Sequence, residues 1–281
     1  RPHIPFVAPK KYFSMYNENE IEVPLNGDDF LLTVSDPAKK SLRARKEQIN
    51  LDYNLKKTIK RAYYATTSFV DAQVGKVLDK LKETGLDKNT IVIFTSDHGY
   101  HLGEKGHWQK QTLYDRSTRV PLIIAGPGIL SNKKEMSTPV ELVDIYKTIT
   151  DLLGFKTPAF VQGESLKPIL TEEKKIKKSS ALSELQVYLN GKIAQGYSIK
   201  TSRYRLIKWN YKNDIHYEFY DHKIDKGESN NLSNNSSYQL VMDSLKIELA
   251  NRVKQASLKP MGVGKQIENA QPTFEPLRIH S

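Results

Sequence analysis

The chain has 281 residues, of which 38% are hydrophobic and 27% charged, and these are the values of a globular protein with a substantial core. Its formal charge of +11 at pH 7 favours polyanionic partners, but it carries no compact Lys/Arg stripe with interleaved aromatics. No apolar run approaches the roughly 18–20 residues of a membrane span. The sequence has no cysteine, which excludes disulfides, thiolate catalysis and cysteine-ligated zinc within it. We therefore expect no nucleic-acid partner and no membrane span.

The amino-terminal half reads as an extended segment followed by a helix and a strand. Arg1–Tyr16 contains three prolines, and His3 lies among them in a rigid setting, although by itself it is an ordinary loop histidine. From Asp36 to Thr84 apolar residues recur at three- and four-residue steps, which predicts a helix. The run Ile91–Phe94 predicts a strand buried on both faces, so helix and strand together indicate a unit of a parallel sheet.

The most informative stretch follows that strand, in Thr90–Trp108 (TIVIFTSDHGYHLGEKGHW). Asp97 and His98 stand at the carboxyl end of the strand, where open α/β sheets place their ligands, although such a pair can also cap a helix. Three glycines after the pair indicate an irregular loop rather than a helix start. Carboxylate and imidazole can hold a divalent cation, and nearby cations can hold an anion. The nearby cations are Lys105, Lys110 and Arg116. The stretch favours chemistry on a phosphate or sulfate ester.

The carboxyl-terminal half changes character near Ser180. Before that point, Arg119–Ala125 predicts another strand and Val140–Leu153 an amphipathic helix. Beyond it, four short β-type runs separated by turn residues predict a small antiparallel sheet. They are Ala181–Leu185, Ala194–Lys200, Tyr204–Trp209 and Glu218–Tyr220. A closing helix, Val241–Ala256, and a tail from Lys259 complete the chain, so we predict an α/β portion at 1–178 and a smaller subdomain at 179–281.

The run TSDHGYHLGEKGHWQKQTLYDRSTRVPLII, from Thr95, closely resembles the second signature region of the type I sulfatases. Its Asp-His pair is similar to the iduronate-2-sulfatase-like branch, since many sulfatases carry Asp-Asn there. The resemblance extends to RPHIPF, VDAQVGKVLDKL and GYSIKTSRYRLIKW…YEFYDHKIDKGESNNL, and so covers most of the chain. It implies the alkaline-phosphatase/sulfatase-like α/β fold, a mixed sheet flanked by helices with a small carboxyl-terminal antiparallel β subdomain plus helix.

The same resemblance implies roles for individual residues. Asp97 and His98 would be ligands of a divalent metal, and Lys110 would contact the sulfate of the substrate. His3 would bind sulfate or protonate the leaving oxygen. The residues expected to line the sugar pocket are His101, Glu104 and His107. The family implies calcium, while magnesium and manganese stay open because histidine is an unusual ligand for a hard cation.

The chain departs from the family pattern at the nucleophile. Type I sulfatases use a formylglycine made from Cys or Ser in a C-x-P-S-R type motif, and this sequence has no Cys and no Ser-x-Pro-x-Arg. We therefore expect the carboxyl-terminal part of a sulfatase whose amino-terminal part supplies the formylglycine and the remaining metal ligands. The expected substrate is a sulfated polysaccharide or glycosaminoglycan-type uronate. The expected location is a secreted, periplasmic or lysosomal-type compartment.

Two other interpretations stay open at this point. A metallo-phosphatase or phosphodiesterase on the same scaffold would use similar groups, but such enzymes tend to need more His and Asp ligands than this chain offers. An inactive glycan-binding relative would explain the positive charge. Such a protein would show no turnover, so mutation of Lys110 or His3 would have no effect on activity.

Overall fold

The computed structural model describes residues 2–24, 27–130, 136–172 and 176–258; the predicted tail from Lys259 lies outside them. The helices are α1 (Lys10–Phe13), α2 (Asp28–Leu31), α3 (Asp36–Leu42), α4 (Tyr53–Glu83), α5 (Asp115–Thr118), α6 (Asp144–Leu152), α7 (Lys167–Thr171) and α8 (Gln239–Ala256). The strands are β1 (Val92–Thr95), β2 (Leu122–Ala125), β3 (Ser180–Leu189), β4 (Lys192–Thr201), β5 (Tyr204–Tyr211) and β6 (Asp214–Asp221). None of the helices in these ranges combines the length and apolar character needed to cross a bilayer.

The helical region predicted from Asp36 to Thr84 divides into α3 and the long helix α4. The break lies before Asp52, whose carboxylate accepts hydrogen bonds from the backbone N–H groups of Asn54 and Leu55 at 2.8 and 3.1 Å. These bonds satisfy amides that a helix start leaves unpaired, so α4 begins there. The amino-terminal segment packs along α4, with the rings of Tyr12 and Phe69 5.4 Å apart.

The two predicted strands of the amino-terminal half are confirmed, but the parallel arrangement is wrong for the described strands. β1 pairs with β2 in antiparallel register, from Val92 opposite Ala125 to Thr95 opposite Leu122. The chain reverses through the loop between them instead of crossing over by a helix, and a reversal of that kind gives antiparallel neighbours. The burial on both faces that was expected of the run Ile91–Phe94 is also wrong for the described residues: Phe94 is exposed, and so is Ile123, which lies opposite it on β2. Within the described ranges these apolar side chains are only partly covered.

The predicted antiparallel subdomain is confirmed as a four-stranded sheet in the order β3-β4-β5-β6. Asn190 and Gly191 both have positive φ (48° and 76°), as the two-residue turn of a tight β-hairpin requires. Helix α8 covers one face of the sheet. Its buried residues Met242, Leu245 and Leu249 form a cluster with Ile199, Leu206 and Phe219.

The other face of this sheet packs against residues of the amino-terminal half. Phe30 and Leu42, from α2 and α3, share a buried cluster with Leu113 and Tyr114, which precede α5, and with Trp209 of β5. The division at 178/179 stays a prediction, and the two parts share this core. The core therefore connects the loop after β1 to the carboxyl-terminal sheet.

Helix α6 confirms the helix predicted within Val140–Leu153, but its orientation is unusual. The apolar residues on and beside it are exposed at helical spacing: Leu142, Tyr146, Ile149 and Leu153. Its buried residues are Asp144 and Thr148. The Asp144 carboxylate accepts hydrogen bonds from the backbone amides of Glu141 and Glu164, both at 2.8 Å. The helix is thus fixed by its polar side and presents its apolar side outward.

The packing of α8 gives a matched pair of substitutions. Leu249 is buried against the sheet, whereas Leu240, on the same helix, is 89% exposed. Leu249→Ala should lower the free energy of unfolding by about 2–5 kcal/mol, because it removes buried methyl groups and leaves a cavity. Leu240→Ala should change it by less than about 0.5 kcal/mol. Denaturant unfolding of the two variants measures both values, and equal effects would contradict the packing of α8.

Candidate active site

Asp97 and His98 lie directly after β1, at the surface. The Asp97 side chain is 84% exposed and that of His98 31%, and Nε2 of His98 lies 3.5 Å from Oδ2 of Asp97. His98 Nδ1 lies 2.8 Å from the backbone oxygen of Gly99, so Nδ1–H donates that bond and Nε2 is the ring nitrogen that faces Asp97. Desolvation raises the pKa of Asp97, but the charges of His98 and Lys110 and backbone hydrogen bonds outweigh it, so the pKa is lowered. The Asp97 carboxylate and the His98 ring are thus neighbouring potential metal ligands, and both side chains are at least partly exposed.

Gly99 fixes the path of the loop immediately after this pair. Its N–H donates to the backbone oxygen of Ser117 at 2.8 Å. A Cβ at this position would lie 2.2 Å from the backbone oxygen of Arg116 and 2.7 Å from that of Arg119, closer than real contacts allow. Only glycine fits here without moving backbone. The loop from Gly99 to Ser117 is therefore closed at its base.

His101 and His107 lie inside this loop and not on its surface, with 0% and 3% exposure. Their rings are 5.0 Å apart. His101 Nε2 lies 3.0 Å from Thr112 Oγ1, and His107 Nδ1 donates to the backbone oxygen of Leu42 at 2.9 Å. Burial lowers the pKa of His107 to about 4 and that of His101 well below its usual value. Burial argues against direct contact of either ring with a sugar, and both rings instead support the loop from within.

Glu104, the third residue expected to line the sugar pocket, is partly exposed. One carboxylate oxygen accepts a hydrogen bond from the backbone N–H of Leu102 at 2.7 Å, and the other lies 3.3 Å from Nε of Arg116. Its role in substrate binding stays a prediction.

The lysines of the loop have different surroundings, which the sequence did not distinguish. Lys110 is partly exposed. Lys105 is buried: its Nζ donates to the backbone oxygens of Gly227, at 2.9 Å, and of Glu228, and lies 4.0 Å from the centre of the Phe30 ring. Burial lowers the pKa of Lys105 to about 8. The expectation that Lys105 offers charge to an anionic substrate is therefore wrong, because its ammonium group is used inside the fold.

His3 lies on an exposed segment that an aromatic cluster holds against the loop. Its Nδ1 lies 2.7 Å from the backbone oxygen of Ile4. The rings of Phe6, Tyr63 and Tyr100 are 5.5 to 6.1 Å apart, and they join the amino-terminal segment, α4 and the loop. The sequence gave no signal for this contact, because the three residues are far apart along the chain.

Asp97 and His98 could supply two ligand atoms to a metal ion. Two ligands are too few for a complete site, so further groups would have to complete the coordination. One group of three possible ligands also lies close together among the described residues: Asp115, His222 and Glu228. Arg205 contacts both carboxylates of that group, at 2.7 Å to Asp115 and 2.5 Å to Glu228. A cation placed there would meet the guanidinium charge, so this group is an ion-pair network.

Two models of known protein families match the chain. A model described as Sulfatase matches residues 1–155, and one described as N-sulphoglucosamine sulphohydrolase, C-terminal, matches residues 103–255. Each covers more than half of the chain. The chain belongs to the sulfatase family.

Individual relatives agree with this assignment. A sulfatase of Formosa agariphila is 33% identical over 250 residues, which are 88% of this chain and 47% of that protein. A solved structure of a 2-O GAG sulfatase matches with a TM-score of 0.75 at 28% identity, over 84% of this chain and 52% of that one. A phosphonate monoester hydrolase from Silicibacter pomeroyi matches with a TM-score of 0.80 at 26% identity, over 92% and 55%. The sulfatase-family chain spans about half the length of the relatives it matches.

The buried histidine pair predicts a pH dependence of stability. The folded-state pKa of His107 is about 4, below the roughly 6.5 of an exposed imidazole, so the unfolded chain binds more protons between these values. The free energy of unfolding should therefore fall as pH falls from about 6.5 toward 4, by up to about 1.4 kcal/mol per pH unit for each such group. Denaturant unfolding across this range measures it.

Two substitutions separate this effect from general acid sensitivity. His107→Gln should make the dependence less steep, because one of the two rings that stay neutral in the folded state is gone. His216→Gln is the control, since His216 is exposed on β6. An unchanged slope in the His107 variant would contradict the assignment.

Proposed function

We propose that this chain is the carboxyl-terminal part of a sulfatase that hydrolyses sulfate esters of a carbohydrate. The observation that carries the proposal is the pair Asp97 and His98, with Nε2 3.5 Å from Oδ2, exposed at the end of β1 in the loop that holds Lys110. This pairing of a cation site with a nearby ammonium group suits an anionic ester group whose negative charge is shared by several oxygens.

The roles follow from where charge develops in the reaction. Hydrolysis of a sulfate ester places charge on the non-bridging oxygens and on the departing alkoxide. A bound divalent cation, calcium in the first instance and magnesium or manganese as alternatives, would stabilise charge on the sulfate oxygens. Asp97 and His98 would hold that cation, and Lys110 would bind the sulfate group directly. His3, when protonated, would donate a proton to the leaving oxygen.

The substrate that we propose is a sulfated glycan of the polysaccharide or glycosaminoglycan-uronate class. The positive charge of the chain favours a polyanion, and one structural relative is a 2-O GAG sulfatase. The Asp-His pair supports the iduronate-2-sulfatase-like branch, and the partly exposed carboxylate of Glu104 could contact the sugar. A secreted, periplasmic or lysosomal-type location suits such a substrate.

A second candidate is hydrolysis of phosphonate or phosphate esters. The similarity to a phosphonate monoester hydrolase, with a TM-score of 0.80, favours it. The same positive groups would bind the negatively charged oxygens of a phosphonate or phosphate ester. The ratio of kcat/KM for aryl sulfates and aryl phosphonates, measured on one preparation, decides between the two candidates.

The proposed partner is the amino-terminal part of the same enzyme, carrying the formylglycine nucleophile and further metal ligands. Relatives are about twice as long as the matching region, so half of their fold has no counterpart here. Two surfaces suit such a partner: the apolar side of α6, and Phe94 with Ile123 on the sheet of β1 and β2. Exposed apolar surfaces of this kind usually mark an interface. Peptide mapping of the protein purified from its source would show whether a formylglycine accompanies it.

The activity test uses the native enzyme with its amino-terminal part and sulfated disaccharides as substrates. Lys110→Met should lower kcat/KM by roughly 10²–10³-fold, as the loss of one charge-stabilising group commonly does. Lys192→Met is the control, because Lys192 is exposed at the start of β4. If wild-type enzyme releases no sulfate, or if both variants retain full activity, the proposed function is rejected.

The interface is tested by one charged substitution on α6. Tyr146→Asp should prevent association with the amino-terminal part while leaving the unfolding free energy of this chain nearly unchanged, because Tyr146 is exposed. Leu240→Asp, on the exposed side of α8, is the control and should associate normally. Analytical ultracentrifugation of the mixed parts measures the association, and equal association of both variants would count against this surface.

A further inference from the structure

The loop segment that carries Lys110 is fixed on both sides by one turn of the carboxyl-terminal subdomain. On one side, Lys105 Nζ donates to the backbone oxygens of Gly227 and Glu228. On the other side, the backbone N–H of Asp115 donates to Oε2 of Glu228 at 2.8 Å. Lys110 lies between these two contacts. The turn after β6 therefore determines where both ends of this segment lie.

Arg205 of β5 completes the attachment. Its Nε donates to Oε1 of Glu228 at 2.5 Å, its Nη2 to Oδ1 of Asp115 at 2.7 Å, and its Nη1 to the backbone oxygen of Leu113 at 3.1 Å. Both Arg205 and Glu228 are buried. The planar guanidinium fixes the directions of all these donors at once, which a lysine ammonium cannot do. One side chain thus sets the distance between sheet, turn and loop.

The surroundings of Glu228 favour its ionised form. Burial raises the pKa of Glu228, but Arg205, His222 and the N–H of Asp115 outweigh it and lower the pKa to about 2. The Glu228 carboxylate is therefore ionised across the whole neutral range. A buried ion pair of this kind contributes little net stability compared with apolar packing, but it constrains geometry strongly. Its contacts with the loop point to a positioning role.

We propose that the Arg205–Glu228 pair is a positioning device that holds the Lys110 segment in place for binding of the sulfate group. The pair touches no substrate itself and acts through Asp115, Leu113 and Lys105. The proposal rests on the proposed function for the role of Lys110. The coupling between pair and loop stands on the structure alone. The competing explanation is that the pair only stabilises the sheet that contains β5.

The first experiment is hydrogen–deuterium exchange on the chain itself, which requires no activity. Arg205→Lys and Glu228→Gln should speed exchange of the loop amides of His101, Gly103 and Thr112 at least tenfold. These amides are bonded within the loop, to the backbone oxygens of Gln109, His107 and Lys110. The amides of β3 to β6 should keep their exchange rates.

The matched control is Arg203→Lys. Arg203 lies near the start of β5 and pairs with the buried carboxylate of Asp221 at 2.8 and 2.6 Å, so its substitution also disturbs a charged pair of this sheet. Its partner is in the sheet and not in the loop. Arg203→Lys should therefore leave loop exchange unchanged.

A third variant keeps the test decisive if the first two fold poorly. Asp115→Asn weakens one of the two contacts of Arg205 with the loop and leaves Arg205, Glu228 and the contact with the backbone oxygen of Leu113 in place. It should also speed loop exchange. The proposal is overturned if loop exchange in these variants equals that in the Arg203 control, or if the sheet amides speed up in step with the loop.

The second experiment measures kinetics in the native enzyme with its amino-terminal part. Arg205→Lys should lower kcat about 100-fold with a smaller change in KM, since displacement of about 1 Å at a reacting group has effects of this size. A purely structural role predicts less folded enzyme with unchanged kcat per folded molecule. Wild-type enzyme without turnover would reject the proposed function, and the exchange experiment would still decide the coupling.

Discussion

The structure depends on the docking of the loop after β1 onto the inner face of the carboxyl-terminal sheet. Leu113 and Tyr114 enter the core beside Trp209, and the Tyr114 hydroxyl donates to Oε2 of Glu218 at 2.7 Å. Glu218 is fully buried, and hydrogen bonds from Tyr220 and Trp209 satisfy the rest of its carboxylate. A buried carboxylate left without donors costs several kcal/mol, so each partner is required. The dependence is mutual. The loop tyrosine supplies a hydrogen bond to the buried carboxylate of the sheet, and the sheet supplies the apolar surface against which the loop packs.

Much of the fold could be predicted because it is encoded locally. Runs of β-forming residues separated by turn residues identified β3 to β6, and apolar spacing identified α4, α6 and α8. The pairing of β1 and β2 could not be predicted in this way. An apolar run indicates that a strand is buried. It does not indicate which strand lies beside it, or whether the two strands run parallel or antiparallel. Phe94 shows the consequence, since the strand was predicted correctly from its apolar residues, whereas the predicted burial of this side chain is wrong.

The candidate site shows the same division between local and distant information. Asp97 and His98 were found from their place after a strand, and the structure puts them side by side at the surface. Lys105 and Lys110 looked equivalent in sequence, yet one is buried by contacts more than 120 residues away along the chain. His101 and His107 likewise had functional residue types, but their burial was decided by Leu42 and Thr112. Residue type indicates possible chemistry, and only the tertiary contacts decide which groups are free to perform it.

The long sequence separation of the Lys105 contacts has a consequence for the order of folding. The partners of Lys105 lie 122 and 123 residues after it, whereas β3 to β6 form a meander in which each strand pairs with the next. Local pairings form early, and contacts between distant segments form late because closing a long loop costs entropy. A ribosome makes the loop well before it makes the turn at Glu228. The loop segment that carries Lys110 therefore lacks these contacts during the first part of synthesis, and it gains them only after the turn at Glu228 has been made.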